Sequence, residues 1–155
     1  MKHTLLATLA LATATLTSAH TAQAQDISAE TQCLIDNVFH EARGEPLKGR
    51  ILVASVTLSR VKAKHRGQTT ICGVVYDPYQ FSWTSMPKAE LARRVKSDRA
   101  TYNTITEYVL KWQKHNTVPI TDVVHYARHE VNNYWTQKMS PVTQVGAHVF
   151  YAHNL

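Results

Sequence analysis

The chain contains few cysteines, glycines and prolines for its length. Its 155 residues include two Cys, five Gly and five Pro. Two Cys are too few for a disulfide-rich scaffold, and the shortage of Gly and Pro favours helices over a turn-rich β-sandwich. Charged residues are also sparse, at 18%, whereas apolar residues reach 44%, which argues against intrinsic disorder. This composition predicts one mainly helical domain with a single core.

Acidic residues are outnumbered by basic ones. The 17 Lys and Arg against 11 Asp and Glu give a formal net charge of +6. Such an excess points to an anionic partner. The candidates are a nucleic acid, a membrane surface and an acidic polymer.

The first 24 residues have the pattern of a secretory signal peptide. Lys2 precedes a weakly apolar run at residues 5–16, Ala22 and Ala24 fit the cleavage site, and the first acid is Asp26. We expect 1–24 to be a signal peptide and 25–155 the exported mature domain, in the periplasm, cell envelope or medium. The alternative is a membrane tether through an uncleaved N-terminus. Loss of Lys2 lowers the charge from +6 to +5, because all 11 acids lie downstream.

Apolar spacing predicts the secondary structure of the rest. Helices are expected over residues 26–42, 47–61, 71–76, 87–95 and 98–114, and short strands over 123–126 and 147–151. Segment 47–61 is apolar nearly all round, so a buried strand is the alternative there. The expected fold is mainly α (α+β), with a short β-hairpin near the C-terminus and no later segment that spans a bilayer.

Glu41 is the acid with the most informative position. On a helical wheel it falls about 20° outside the apolar stripe that runs from Leu34 to Ile35, whereas His40 points away from it. A half-buried carboxyl has a raised pKa, as a general acid at a glycosidic bond requires. The alternative is a boundary Glu paired with Lys or Arg.

Four blocks in order resemble the SleB/CwlJ-type cell-wall hydrolase family. They are residues 40–46 (HEARGEP) with 53–61, residues 71–76, residues 80–83 (QFSW), and residues 125–126 with Trp135 and 146–151. The resemblance implies a lysozyme-like helical fold. It also implies cleavage of peptidoglycan between N-acetylmuramic acid and N-acetylglucosamine by a lytic transglycosylase, with Glu41 as the catalytic residue and no cofactor.

The resemblance also implies the residues of a sugar-binding cleft. Gln80, Phe81, His125 and Tyr126 are expected to line it around the catalytic acid. Aromatic faces suit pyranose rings, and polar side chains bind hydroxyl and acetamido groups. On those grounds the predicted substrate contacts also include Tyr79, Ser82, Trp135 and Tyr151.

The sequence departs from the family at two positions. Ser59 stands where the family commonly has Asn, and Tyr79 stands where it often has Cys. With Tyr79 in that place, Cys33 and Cys72 form the one pairing available. An exported chain permits that bridge, and two buried free thiols are the alternative.

Two other functions compete with the glycosidase. A zinc amidase or peptidase would use His125 and His129, which share a face if their segment is helical, with His148 or His153. A non-enzymatic basic module would use the cluster formed by Lys62, Lys64, His65 and Arg66. We expect peptidoglycan to be the anionic partner instead of nucleic acid, and the protein to be a monomer.

Overall fold

The computed structural model describes residues 27–152, which form five α-helices and one small sheet. The helices are α1 (Ala29–Ala42), α2 (Leu47–Lys62), α3 (Ile71–Tyr76), α4 (Lys88–Ser97) and α5 (Arg99–His115). Short 3-10 turns occupy His65–Gly67 and Ser82–Ser85. The predicted signal peptide, and with it the cleavage site at residues 22–24, lies outside the described residues.

Local sequence signals fix the ends of the helices. The Ser28 hydroxyl accepts a hydrogen bond from the Thr31 amide at 3.2 Å and caps α1. Pro46 precedes α2, where its missing N–H costs nothing. Residues 47–62 are helical throughout, so the strand alternative for this segment is wrong.

The core lies between α1, α2 and α5 and is closed by the sheet. Phe39 and Val38 of α1, Val53 of α2, Ile105 of α5 and Phe150 of the last strand are all fully buried. Burial of a side chain of this size contributes roughly 1.5–3 kcal/mol. The predicted mainly helical fold is confirmed.

The sheet has three antiparallel strands instead of two. They are β1 (Val123–Arg128), β2 (Ser140–Val145) and β3 (His148–Ala152), in the order β1-β3-β2. The two predicted strands correspond to β1 and β3, which pair with Tyr126 opposite Phe150. The predicted set lacked β2, which forms the hairpin with β3.

A disulfide joins α1 to α3. Cys33 and Cys72 are bonded, with their Cα atoms 5.3 Å apart, so the alternative of two free thiols does not describe this structure. Glu30 reinforces the same junction, because its Oε2 accepts hydrogen bonds from the amides of Ile71 at 2.6 Å and Cys72 at 3.2 Å. This end of α1 is therefore held firmly, and Glu41 lies in the last turn at the other end.

Candidate active site

Glu41 lies half-buried where α1 meets the sheet. Its Oε2 accepts a hydrogen bond from the hydroxyl of Tyr126 in β1, at 3.0 Å. Burial raises the pKa of Glu41, and the Tyr126 hydrogen bond and the positive charge of Arg60 partly oppose that rise. The carboxyl therefore holds its proton at a higher pH than an exposed Glu, as a general acid must.

Tyr126 is fixed by its ring and serves as a donor. The ring packs against His148 at 5.2 Å and Phe150 at 5.6 Å between centroids. Burial and the neighbouring Glu41 raise the pKa of Tyr126 well above its ordinary value of 10. The phenol is therefore protonated at neutral pH and donates to the carboxyl.

Arg60 is a buried residue of this site that the sequence motifs did not predict. It lies in the last turn of α2, and its Nε donates to the Val124 carbonyl at 2.8 Å. Its guanidinium lies 5.3 Å from the centre of the Phe81 ring. A signal was present in the sequence, because an Arg within a helix that is apolar on nearly every side must find buried partners.

An open cleft of about 370 Å³ adjoins these residues. Tyr126 is among the residues that line this cleft, and its hydroxyl bonds Glu41, so Tyr126 connects the acid to the cleft. The structure brings five of the predicted substrate-contact residues together. The full lining is Arg60, Tyr79, Gln80, His125, Tyr126 and Trp135.

Three predicted contact residues lie elsewhere. Phe81 is buried, and its ring packs against the guanidinium of Arg60. Tyr151 is buried behind Trp135, with 5.5 Å between ring centroids. Ser82 is exposed at the start of a 3-10 turn and is not among the residues that line the cleft. The motif alone does not reveal which of its side chains are buried and which line the cleft.

The acids that could act as a second carboxylate are engaged by other groups or exposed in a loop. Glu45 accepts from the Ala147 amide at 3.1 Å and lies 3.5 Å from His148 Nδ1. It thereby braces the β2–β3 turn. Asp77 is buried and pairs with Arg66 at 2.6 Å. Asp122 is exposed in the loop before β1.

The histidines of the zinc alternative do not form the predicted set. His125 lies within β1 and His129 follows its end, so the helix that would align them is absent. His148 lies in β3 with its Nδ1 near Glu45. Within residues 27–152 no group of three or more His, Cys, Asp or Glu is arranged to hold a metal ion. His153 lies outside the described residues.

His40 was predicted to point away from the core, and that prediction is wrong. Its ring stacks on Trp83 with centroids 4.7 Å apart and planes 24° apart. Burial lowers the pKa of His40 to about 4, with smaller contributions from the charges of Arg43 and Arg94. Trp83 is itself buried and donates to Asn37 Oδ1 at 3.0 Å, so it belongs to the core beneath the site.

Ser59 orders the backbone directly at the position where the family commonly has Asn. It is buried, and its hydroxyl accepts a hydrogen bond from the Thr121 amide at 2.9 Å. This bond fixes the chain two residues before β1 begins, and β1 carries Tyr126.

Comparison with known proteins identifies the family. The family described as Cell Wall Hydrolase matches residues 44–151. The chain belongs to the cell wall hydrolase family. The match begins three residues after Glu41, so the proposed acid lies just outside it.

One curated relative of this chain is a spore cortex-lytic enzyme from Oceanobacillus iheyensis. The two are 25% identical over 122 residues, which is 78% of this chain and 41% of the relative. The chain therefore spans less than half the length of that relative.

Two solved structures share the fold. The catalytic domain of the germination-specific lytic transglycosylase SleB from Bacillus anthracis matches with a TM-score of 0.58 and 20% identity, over 84% of this chain and 98% of that one. The catalytic domain of the Bacillus cereus SleB protein matches with a TM-score of 0.55 and 23% identity, over 86% and 98%. The small sheet on a helical body is thus the fold of these catalytic domains.

Proposed function

We propose that this cell wall hydrolase cleaves peptidoglycan between N-acetylmuramic acid and N-acetylglucosamine as a lytic transglycosylase, with Glu41 as acid and base. The observation that carries the proposal is the half-buried Glu41 with its raised pKa, bonded to a tyrosine that lines the cleft. The similarity to the spore cortex-lytic relative and to the SleB catalytic domain from Bacillus anthracis, a lytic transglycosylase, supports this reaction.

One carboxyl performs both proton transfers. Neutral Glu41 donates its proton to the oxygen between the two sugars, and the bond from that oxygen to C1 of the muramic acid breaks. The resulting carboxylate takes the proton of the muramic acid's own 6-hydroxyl, whose oxygen attacks C1. A 1,6-anhydro ring closes, and Glu41 is again protonated.

The other acids agree with this single-carboxylate scheme. A retaining hydrolase needs a second carboxylate about 5–5.5 Å from the acid, and an inverting one needs it at roughly 6.5–9.5 Å. Glu45 is committed to the β2–β3 turn and Asp77 to Arg66. The 6-hydroxyl of the substrate replaces the missing nucleophile.

The cleft has the chemistry for an amino-sugar chain. Tyr79 and Trp135 present rings for the pyranose faces, and Gln80 and His125 present groups that bond hydroxyl and acetamido oxygens. The net positive charge suits a polymer whose stem peptides carry carboxylates.

We further propose that residues 1–24 direct export and are removed, and that the domain acts as a monomer in the periplasm or cell envelope. The disulfide supports an oxidising compartment. None of the helices in residues 27–152 has the length and hydrophobicity of a membrane span. N-terminal sequencing of the protein from the cell envelope is expected to begin at residue 25.

The test of the reaction is Glu41→Gln with mass analysis of products from purified sacculi. Gln fits the same space without a transferable proton, so strand cleavage is expected to fall by about 10²-fold or more. Wild-type products should carry anhydro ends, whereas reducing ends would indicate a hydrolase. Glu107→Gln, at an exposed position of α5, is the control. Near-normal cleavage by Glu41→Gln would overturn the assignment.

A further inference from the structure

We propose that Arg60 is a positioning residue, a buried counter-charge that stabilises the carboxylate of Glu41 between the two proton transfers. This role of Arg60 rests on the proposed function of Glu41. The contacts of Arg60 from which we infer the role are independent of that function.

The guanidinium of Arg60 is buried without a direct ion pair. Arg60 is only 6% exposed. No carboxylate of residues 27–152 lies within 4 Å of it, and its Nη1 is buried with no acceptor among those residues. An unpaired buried charge is costly, so the fold must contain a compensating group or use the charge.

Arg60 is nevertheless held in one place. Its Nε bond to the Val124 carbonyl ties it to β1, two residues before Tyr126. The Phe81 ring supports the face of the guanidinium at 5.3 Å. The same strand therefore positions both the charge and the hydroxyl that bonds Glu41.

The groups around the pair leave Glu41 as the natural counterpart. The Tyr126 hydroxyl bonds Glu41 at 3.0 Å, and Tyr126 and Arg60 line the same cleft. The positive charge of Arg60 also lowers the pKa of Glu41. Arg60 also faces Asp77, whose charge is already matched by Arg66 at 2.6 Å. His148 of β3 packs on the Tyr126 ring, and burial lowers the pKa of this histidine.

The reaction alternates the charge that Arg60 faces. While Glu41 is neutral, the positive charge of Arg60 is unbalanced. After Glu41 gives its proton to the glycosidic oxygen, its carboxylate and Arg60 compensate each other. When Glu41 takes the proton of the 6-hydroxyl, the first state returns, and Arg60 stays protonated throughout.

The experiment is a titration by nuclear magnetic resonance of protein with 13C-labelled glutamate carboxyls. Glu41→Gln assigns the Glu41 signal by its loss. In Arg60→Gln the pH midpoint of the Glu41 titration should rise, because a charge that attracts the carboxylate has been removed. The rise should correspond to a roughly tenfold higher proton affinity of Glu41. Arg60→Lys should keep it near the wild-type value. Arg93→Gln removes the same charge at an exposed position of α4 and should leave it unchanged.

The activity profile adds a readout that a purely structural role would not affect. Cleavage needs protonated Glu41. The alkaline limb of the pH–activity profile should therefore move to higher pH in Arg60→Gln and stay in place in Arg60→Lys. A measurement on the wild-type protein covers the case in which Arg60→Gln does not fold. The Arg60 Nε resonance should then change with the midpoint of the Glu41 carboxyl.

Two results would overturn the role of Arg60. One is an unchanged pH midpoint of Glu41 in folded Arg60→Gln. The other is an Arg60 Nε resonance whose chemical shift does not change as Glu41 titrates. Both measurements are made without substrate. They therefore fail or succeed independently of the cleavage assay on Glu41→Gln, which tests the proposed function.

Discussion

Tyr79 combines full exposure with a backbone conformation that tyrosine rarely adopts. Its side chain is 100% exposed, and its φ is +66°. A left-handed conformation costs a residue with a Cβ roughly 1–2 kcal/mol, and such strain is frequent at functional sites. Tyr79 lines the cleft and stands where the family often has Cys. These features make it a candidate platform for a sugar ring that is particular to this chain.

Tyr79→Ala is therefore expected to weaken substrate binding without unfolding the protein. Loss of one aromatic contact worth about 0.5–1.5 kcal/mol should raise KM several-fold. The free energy of unfolding should change by less than about 0.5 kcal/mol, because the ring is fully exposed. Kinetics on sacculi and urea unfolding measure the two effects.

Tyr134→Ala is the matched control for Tyr79. Tyr134 is 73% exposed but lies outside the cleft lining, where its ring contacts Lys138 at 4.2 Å. Its removal should leave KM unchanged. Equal kinetic effects of the two substitutions would contradict a specific role for Tyr79.

Single-residue predictions from the sequence succeeded where one helix determined the environment. The helical wheel placed Glu41 at the edge of the buried face, and the structure has it half-buried there. The same wheel failed for His40, because Trp83 of the second 3-10 turn, 43 positions later, covers the other flank of α1. It could not identify Arg60, whose partners lie in β1 and the loop before the second 3-10 turn.

Among the elements, the helices were predictable and one strand was not. Strands β1 and β3 each carry buried apolar residues, whereas β2 has none that is fully buried and contains Pro141. An edge strand of this composition has no alternating apolar pattern to reveal it. Its position depends on tertiary contacts: Gly146 has a φ of +57°, and a Cβ there would overlap the Glu45 carboxylate.

The bridge between α1 and α3 should dominate the stability of that junction. Its two cysteines are 39 positions apart, so the chain-entropy model assigns it about 4 kcal/mol. The double variant Cys33→Ala, Cys72→Ala should lower the Tm by on the order of 10 °C. Because Glu41 lies at the opposite end of α1, kcat should change little at temperatures where the variant is folded.

Calorimetry and kinetics with and without a reductant test this. The reductant should lower the Tm of the wild-type protein toward that of the double variant, and it should leave the variant unchanged. A wild-type Tm that does not respond to complete reduction would show that the bridge contributes nothing to stability.

For the whole molecule, the half-buried His40 and the buried His148 should make stability depend on pH. Burial lowers the pKa of His40 to about 4, against 6.5 in the unfolded chain, and it also lowers that of His148. A lowered pKa means that the unfolded state binds the proton first, so the stability is present above pH 6.5 and is lost as pH falls. Burial raises the pKa values of Asp36 and Glu41, which opposes this trend, because their contribution is lost as pH rises.

A comparison with His40→Gln separates the histidine from the acids. Both proteins share Asp36, Glu41 and His148, so the difference between their free energies of unfolding isolates His40. That difference should shrink as the pH falls from 7 to 4.5, because only the wild-type protein takes up this proton on unfolding. The lost stacking on Trp83 lowers the variant's stability equally at every pH, so the slope is the readout. Urea unfolding at pH 7, 5.5 and 4.5 measures the slope of this difference against pH.

His115→Gln, at the exposed end of α5, is the control and should follow the wild-type slope. A His40→Gln slope equal to both would show that His40 is not buried in its neutral form.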